Sequence, residues 1–248
     1  MRLKGKIILI TGATSGIGLA TAQRCITEGA FVIFTGRNQQ NVEQIQQQLG
    51  QKSLGFICDA ANVPQQKQLI QQLQNSHYQL DALFLNAGNV QHLKFEEWTE
   101  VTFNQVIDTN LKGAFFLLQA ALPILKQPCS VVFCGSTSIH IALEQSSVYA
   151  ASKIALRSLV KTLSRELLSR KIRCNLLSPG PTLTPALDKV APTEAEKIEL
   201  KKQIEALVPV QHLADPRDIA NAFIYLASDE AQFVIGTELL VDGGVANL

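Results

Sequence analysis

A tyrosine and a lysine four residues apart, Tyr149 and Lys153, form a pair of side chains that can move a proton. In a helix, residues four apart lie on the same face, so this spacing brings a phenol next to an ammonium group. A nearby cation stabilises the phenolate, and a phenol tuned in this way can exchange a proton near neutral pH. The same spacing also occurs by chance on exposed helix faces, so the pair alone does not establish chemistry.

A glycine-rich segment, residues 11–18, follows the first apolar run and has glycine at positions 12, 16 and 18. Glycine here lets the backbone turn tightly, lets a pyrophosphate approach main-chain N–H groups, and lets the next helix pack close to the strand. The spacing G-x-x-x-G-x-G differs from the general dinucleotide fingerprint, and glycine-rich turns also serve as plain connectors. Because a strand precedes it and a helix follows, we interpret the segment as a phosphate-binding loop.

The end of the second apolar run, residues 35–38, carries Arg37 where an NAD site would carry an acidic residue for the ribose 2′-hydroxyl. A guanidinium makes paired hydrogen bonds to a 2′-phosphate and stacks on adenine. Arg37, assisted by Asn38, therefore predicts NADP as the cofactor. In the alternative interpretation, Arg37 is a solvated charge at the start of the next helix.

Short apolar runs alternate with segments of helical period along the chain. The predicted strands are 6–11, 31–35, 53–59, 82–86, 130–136, 173–178 and 238–241. The predicted helices are 18–28, 41–49, 65–74, 103–125, 147–169 and 216–227. Continuous apolarity suits parallel strands covered on both faces by crossover helices. The sequence therefore predicts an α/β fold in one domain, residues 1–248, with a doubly wound, Rossmann-like parallel sheet of about seven strands.

Residues 181–209 depart from this alternation, with prolines near the start and a polar, charged stretch at 194–202. The segment follows the carboxyl end of a predicted strand, the edge where ligands bind in open α/β sheets. We interpret it as a substrate-side lid. A helical excursion on the surface is the alternative.

These motifs belong to an ordered set through which the sequence resembles the short-chain dehydrogenase/reductase family from residue 6 to residue 244. The set comprises the segment 11–18, Asn86-Ala87-Gly88, Asn110-Leu111-Lys112-Gly113, Ser136, Tyr149-Ala150-Ala151-Ser152-Lys153, Pro179-Gly180 and Val241-Asp242-Gly243-Gly244. The resemblance implies an enzyme that transfers a hydride between nicotinamide and a ketone or secondary alcohol. The competing class is a cofactor-binding regulator or scaffold without turnover. An epimerase or dehydratase on a related fold is disfavoured because the chain lacks a sizeable carboxy-terminal substrate domain.

The resemblance also implies roles for the reacting groups. Tyr149 would donate a proton to the developing alkoxide, and Ser136 would hydrogen-bond the same oxygen. Lys153 would hold the nicotinamide ribose and favour the phenolate, while Asn110 would position a water that links Lys153 to solvent. The family's serine lies 13 positions before its tyrosine, which selects Ser136, with Ser138 as the alternative. In a purely structural interpretation, these hydroxyls only cap strand ends.

A larger set of residues would surround the cofactor by the same resemblance. The set is Gly12, Thr14, Ser15, Gly16, Ile17, Gly18, Arg37, Asn38, Asp59, Ala60, Asn86, Ala87, Gly88, Tyr149, Lys153, Pro179, Gly180, Thr182 and Thr184. Asp59 could instead cap the next helix, and Asn86 could stabilise the sheet. Many NADP-using relatives carry a basic residue in the glycine loop where this chain has Thr14 and Ser15, so NAD is kept as the weaker alternative.

Composition narrows the partners and the location. With 46% hydrophobic residues, 17% charged residues and a formal net charge of +1, the chain is not disordered, and we expect no nucleic-acid or membrane partner. The five cysteines show no paired spacing, so we interpret them as reduced core residues of a cytoplasmic protein. The four histidines also lack ligand spacing, and no metal is predicted.

Substrate and assembly are inferred last. The expected pocket residues are Val90, Leu93, Thr137, Ser138, His140, Ile141, Leu143, Leu183 and Leu187. This mainly apolar set without a fixed cation favours a neutral, hydrophobic carbonyl compound, and His140 is expected to face it. The resemblance implies a homotetramer assembled through the fourth and fifth helices and the last strand. The apolar run 115–118 is compatible with such an interface and equally with packing on the sheet.

Overall fold

The computed structural model describes residues 1–188 and 193–248, which form one parallel sheet of seven strands flanked by helices. The strands are β1 (Ile7–Ile10), β2 (Phe31–Gly36), β3 (Ser53–Ile57), β4 (Leu80–Leu85), β5 (Leu125–Cys134), β6 (Ile172–Pro179) and β7 (Glu238–Val241). They lie in the order β3-β2-β1-β4-β5-β6-β7, and neighbouring strands are parallel. The predicted doubly wound, Rossmann-like fold is confirmed.

Helices connect these strands, and several of them begin at a polar residue that caps the first turn. They are α1 (Gly16–Thr27), α2 (Gln39–Leu49), α3 (Val63–Asn75), α4 (Glu100–Ile107), α5 (Gly113–Ala121), α6 (Ser147–Glu166), α7 (Pro185–Asp188), α8 (Glu194–Leu207) and α9 (Pro216–Ala227). Asn62 and Asp215, which precede α3 and α9, accept hydrogen bonds from backbone N–H groups of the first turn. In the part of the chain that the structure describes, no helix has the length and apolarity to cross a membrane.

The predicted helix 103–125 differs most from the structure. It begins at Glu100, because Thr99 caps the first turn, and it ends at Ala121, where the Pro123 turn replaces it. Between α4 and α5 the backbone forms a π-helical turn, Asp108–Lys112. Such turns interrupt a helix locally, and this one carries Asn110.

Each face of the sheet is covered by its own apolar layer. Helices α1, α2 and α9 pack on one face, and α3, α5 and α6 pack on the other. Within β1, Ile8 and Ile10 belong to the first layer and Leu9 to the second. On the first face, Phe84 of β4 stacks on Phe223 of α9 with ring centroids 4.6 Å apart. Burial on both faces explains why the strands read as continuous apolar runs.

The segment 181–209 contains α7 and α8, and its residues 189–192 lie outside the described residues. Its first part is anchored by a parallel bridge between Thr182 and Ala214. Helix α8 buries none of its residues. The segment leaves the carboxyl end of β6, so it begins at the same sheet edge as the loop after β1.

Candidate active site

An open cleft of about 290 Å³ lies at the carboxyl edge of the sheet, beside the loops that follow β1 and β4. The strand order reverses between these two strands, and ligands of open α/β sheets bind at such a reversal. The predicted residues that line the cleft are Gly12, Thr14, Ser15, Gly16, Ile17, Gly18, Arg37, Asp59, Ala60, Asn86, Ala87, Gly88, Tyr149, Lys153 and Thr184. The cleft is also lined by residues outside the predicted cofactor set: Thr35, Gly36, Cys58, Asn89, Val90, Thr109, Cys134 and Pro185. Most of these adjoin predicted positions at strand ends.

The loop after β1 is held against the loop after β4. Gly12 has a φ of +64°, and a Cβ at this position would lie 2.9 Å from the Cα of Ala87. Any side chain would therefore push the two loops apart. Thr11 Oγ1 accepts hydrogen bonds from the backbone N–H groups of Asn86 and Ala87, each at 3.0 Å. Asn86 Nδ2 donates to the carbonyl oxygens of Thr11 and Gly12 at 3.0 and 3.2 Å, so Asn86 stabilises the sheet edge and also borders the cleft.

The amino terminus of α1 forms one wall of the cleft. Ser15 is the extended residue that precedes the helix, and its side chain makes no capping hydrogen bond. The first turn carries no acidic residue. Unpaired N–H groups at a helix amino terminus carry partial positive charge, so Ser15, Gly16 and Ile17 form a lip suited to an anion.

Arg37 lines the cleft together with Thr14 and Gly36. Its side chain is exposed and makes no ion pair within residues 1–188 and 193–248. An exposed guanidinium without a carboxylate partner can bind an anionic ligand.

Two polar neighbours of this end of the cleft have local roles. Asn38, expected to assist Arg37, does not line the cleft; its Oδ1 caps α2 by accepting from Asn41 N at 3.0 Å. Asp59 lines the cleft, and the alternative that it caps the next helix is wrong, because Asn62 caps α3. Asp59 Oδ1 instead accepts from the Ala61 N–H at 3.0 Å. Which residue caps α3 depends on where the loop after β3 enters the helix, and the sequence alone does not show this.

Helix α6 brings Tyr149 and Lys153 to the cleft. Lys153 is 3% exposed, and its Nζ donates to the carbonyl oxygen of Cys134 at 2.7 Å. The same Nζ lies 5.7 Å from the centre of the Tyr149 ring. In the described ranges no carboxylate forms an ion pair with Lys153.

Asn110 lies behind the cleft rather than in its lining. It is 1% exposed, and its Nδ2 donates to Asn89 O and Ser152 Oγ at 3.1 and 3.0 Å, while its Oδ1 accepts from Asn89 N at 2.7 Å. A Cβ built on Gly88 would lie 3.6 Å from Asn110 Oδ1 and 3.7 Å from Lys153 Nζ. The amide and the ammonium are thus neighbours of the same glycine.

Ser136 follows β5 and is half-buried. Its Oγ accepts from Ser138 N at 3.1 Å, which caps the short turn Thr137–Ile139 and leaves the hydroxyl proton available for donation. Ser136 is not among the residues that line the cleft. The alternative, Ser138, is buried, and its hydroxyl has no hydrogen-bond partner in the described part of the chain.

The residues after β6 divide into two groups. Pro179, Gly180 and Thr182 do not line the cleft. Gly180 N donates to the carbonyl of Val241 at 2.9 Å, and Thr182 Oγ1 donates to Gly180 O at 2.8 Å, so both are held against β7 and their own loop. Thr184 does line the cleft, where its Cγ2 would lie 3.3 Å from a Cβ on Gly16.

Two histidines occupy positions that differ from expectation. His140 does not face the cleft: its Nε2 lies 2.9 Å from Glu238 Oε1, and its ring lines a separate cavity. His92, which was not predicted at the site, lies beside Tyr149: the ring centroids are 6.1 Å apart, and His92 Nδ1 lies 2.7 Å from Ser146 Oγ. Burial lowers the pKa of His92, so the ring is neutral at neutral pH. Its place shortly after Asn86-Ala87-Gly88 was the available signal.

The thiols of the cleft are unreactive. Burial raises the pKa of Cys58 to about 11 and also raises that of Cys134, so both stay protonated at neutral pH. All five cysteines are buried and free. Within residues 1–188 and 193–248, no group of three or more His, Cys, Asp and Glu side chains could hold a metal ion.

Comparison with known proteins gives consistent matches over the whole chain. A sequence model for the family described as Enoyl-(Acyl carrier protein) reductase matches residues 12–246. The chain is 36% identical to the 3alpha-hydroxysteroid dehydrogenase of Mediterraneibacter gnavus, over 98% of each chain. It is 32% identical to the 3-oxoacyl-(acyl-carrier-protein) reductase FabG of Thermotoga maritima, over 99% of each chain. The solved structure of a short-chain dehydrogenase/reductase from Brucella melitensis, titled glucose/ribitol dehydrogenase, superposes with a TM-score of 0.91 at 28% identity, over 98% of each chain.

Proposed function

This chain belongs to the short-chain dehydrogenase/reductase family of oxidoreductases, and we propose that it transfers a hydride between NADP and a ketone or secondary alcohol. The observation that carries the proposal is one cleft lined by a helix amino terminus suited to an anion, by Arg37, which forms no ion pair in the described ranges, and by Tyr149 and Lys153. The names of two relatives refer to a hydroxysteroid and a 3-oxoacyl compound, which are the two oxidation states of such a substrate.

The residues of the cleft fit a dinucleotide. The amino terminus of α1 would hold the pyrophosphate, and the close contact at Gly12 leaves this approach free of side chains. Arg37 would bind the 2′-phosphate, and Asp59 with Ala60 would border the adenine. The loop 86–88 would shape the ribose pocket, and Thr184 would bind the nicotinamide amide. When bound, NADPH supplies the hydride.

The protein's own groups handle the proton. In the reducing direction, the Tyr149 hydroxyl donates its proton to the substrate oxygen as this becomes an alkoxide. The free hydroxyl proton of Ser136 hydrogen-bonds the same oxygen and stabilises its charge. Lys153, whose Nζ lies 5.7 Å from the centre of the Tyr149 ring, would stabilise the phenolate that remains. Asn110, a neighbour of Gly88 together with Lys153, would position a water through which the phenol is reprotonated.

The substrate that we propose is neutral and hydrophobic. Val90, Ile141, Leu143 and Leu183 are large apolar side chains that are 38–50% exposed, on the loops that follow β4, β5 and β6. Exposed apolar side chains near a cleft favour an apolar ligand.

Replacing Tyr149 by Phe tests the reaction. We expect turnover of a carbonyl panel to fall by on the order of 10²–10⁴-fold, because the proton donor is lost. NADPH binding, followed by fluorescence titration, should persist. Tyr225→Phe is the matched control, since Tyr225 lies on α9, on the opposite face of the sheet from α6. Retained turnover in Tyr149→Phe would refute the assigned acid, whereas a wild-type protein that binds NADPH without turnover would favour a regulator.

Replacing Arg37 by Ala tests the cofactor. A hydrogen bond to a charged group contributes about 1.5–3 kcal/mol, so NADPH affinity should fall roughly 10- to 100-fold while NADH affinity stays constant. Arg165→Ala, which removes an exposed cation at the end of α6, should change neither affinity. Equal losses for both cofactors would show that Arg37 does not read the 2′-phosphate.

The proposal includes a lid and a tetramer. The segment 181–209 would close over substrate. Two observations support this role: no residue of α8 is fully buried, and Thr184 lines the cleft. Phe115 and Phe116 line an apolar groove between α5 and α6 that would receive a second copy, while Leu117 and Leu118 pack on the sheet. The five buried, unbridged thiols favour the reducing cytoplasm as the location of this protein.

Limited trypsin digestion tests the lid: NADPH together with substrate should protect α8 from cleavage. Light scattering tests the assembly, and Phe116→Glu should lower the molar mass relative to wild type. A monomeric wild type would reject the tetramer.

A further inference from the structure

The carboxylate of Glu238, the first residue of β7, contacts side chains from three other parts of the chain. Its Oε1 lies 2.9 Å from His140 Nε2 and accepts from Ser178 Oγ at 2.6 Å. Its Oε2 lies 2.9 Å from Arg157 Nε. A carboxylate only accepts hydrogen bonds, so His140, Ser178 and Arg157 all donate to it. The Glu238 side chain is 10% exposed, and this nearly buried carboxylate ties the loop after β5, the end of β6 and helix α6 to the last strand.

The residues that Glu238 holds lie on both sides of Ser136. On the amino-terminal side, a Cβ on Gly135 would lie 2.3 Å from Ser178 Oγ, so the hydroxyl fixed by Glu238 packs directly against the backbone before Ser136. On the carboxyl-terminal side, His140 closes the turn that Ser136 begins, and the same carboxylate holds its ring. The segment 135–140 is therefore fastened at both ends to one group.

Glu238 itself does not border the cleft. It lines a separate cavity with His140, Arg157 and Lys161, and not the cleft of Tyr149. Any effect of Glu238 on the reaction must pass through the residues that it holds.

We propose that Glu238 is a positioning residue, which acts through Ser178 and His140 to hold the Ser136 hydroxyl where it meets the substrate oxygen. The inference rests on the role of Ser136 in the proposed function. A misplacement of about 1 Å by a residue far from the chemistry can cost on the order of 100-fold in rate. The loss belongs in kcat, because none of the four side chains of this cluster, Glu238, His140, Ser178 and Arg157, lines the cleft in the part of the chain that the structure describes.

Glu238→Ala and Ser178→Ala test the proposal. We expect each to lower kcat by about 10- to 100-fold with unchanged NADPH affinity. Glu238→Gln keeps an acceptor oxygen for Ser178 and His140, so it should restore most of kcat. Ser164→Ala is the matched control. Like Ser178, Ser164 donates one hydrogen bond from its Oγ, here to the carbonyl oxygen of Cys174 in β6 at 2.8 Å. This bond lies near the opposite end of β6 from Ser178, so its loss should change thermal stability without changing kcat.

Two further comparisons keep the test decisive. If Glu238 acts through His140, the double variant His140→Ala/Glu238→Ala should be no slower than Glu238→Ala alone. Ser178→Ala removes one hydroxyl, so it gives a folded variant even if Glu238→Ala does not fold, and wild-type kcat in folded Ser178→Ala would overturn the inference. If Ser136→Ala is inactive and Glu238→Ala is fully active, this inference alone fails. If Tyr149→Phe and Ser136→Ala both keep activity, the proposed function fails instead.

Discussion

Replacing Gly12 by Ala places one methyl group between the two loops that form the cleft. The new Cβ would lie 2.9 Å from the Cα and 3.2 Å from the Cβ of Ala87, at a φ of +64°. A left-handed backbone costs a residue with a side chain roughly 1–2 kcal/mol, and overpacking adds about 1–3 kcal/mol. We therefore expect Gly12→Ala to lower the free energy of unfolding by about 2–5 kcal/mol. If the loop after β1 instead moves away from Ala87, the clash is relieved at the expense of the shape of the cleft, and NADPH affinity falls.

Gly5→Ala separates the backbone cost from the contact. Gly5 has a φ of +73°, and its Cβ would meet no atom within 4 Å, so only the conformational cost of roughly 1–2 kcal/mol applies. Urea unfolding followed by circular dichroism and NADPH titration by fluorescence would be measured for wild type and both variants. The reasoning is refuted if Gly12→Ala matches Gly5→Ala in stability and wild type in NADPH affinity.

Three further predictions concern groups outside the reaction. Burial lowers the pKa of His92 below its ordinary 6.5, so the unfolded chain binds more protons in acid and stability falls as pH drops below that value; the melting temperature of wild type should fall more than that of His92→Gln between about pH 7.5 and about pH 5.5, and equal falls would contradict this. Arg173 donates to the carbonyls of Leu226 and Val234 at 2.8 and 3.2 Å; Arg173→Met should lower the urea midpoint, losing on the order of 3 kcal/mol, with unchanged kcat, because Arg173 lies near the opposite end of β6 from the cleft. Burial raises the pKa of Cys129 to about 12, so this thiol should react with a disulfide reagent in urea and not in the folded protein.

The features that sequence reasoning found are local. The strands and helices were visible because apolar periodicity repeats within a few residues. Tyr149 and Lys153 meet because both lie on one helix, and the glycine loop lies between one strand and the helix that follows it. The sequence predicts a helix at 103–125 but not the π turn within it. Asn110, inside that turn, donates to Asn89 and Ser152, which lie in other parts of the chain, and such contacts are not visible in a local pattern.

Contacts between loops join residues that are far apart in the sequence, and the predictions for loop residues differ from the structure. Asn38 and Asp59 were both expected at the cleft, yet Asn38 caps α2 while Asp59 reaches the cleft lining. His140 lies only four residues after Ser136, but its partner Glu238 is 98 positions away along the chain. His92 reaches Tyr149 because two loops from different strands pack together.

By itself, then, the amino-acid sequence determined the parallel sheet, the glycine loop at its carboxyl edge, and the placement of Tyr149 and Lys153 on one helix, because each of these follows from periodicity or from spacing within one or two neighbouring elements. The tertiary structure decided which of the polar side chains at that edge face the cleft and which are held behind it. That choice depends on hydrogen bonds and close contacts between residues far apart in the chain, such as those that fasten the segment of Ser136 to the last strand.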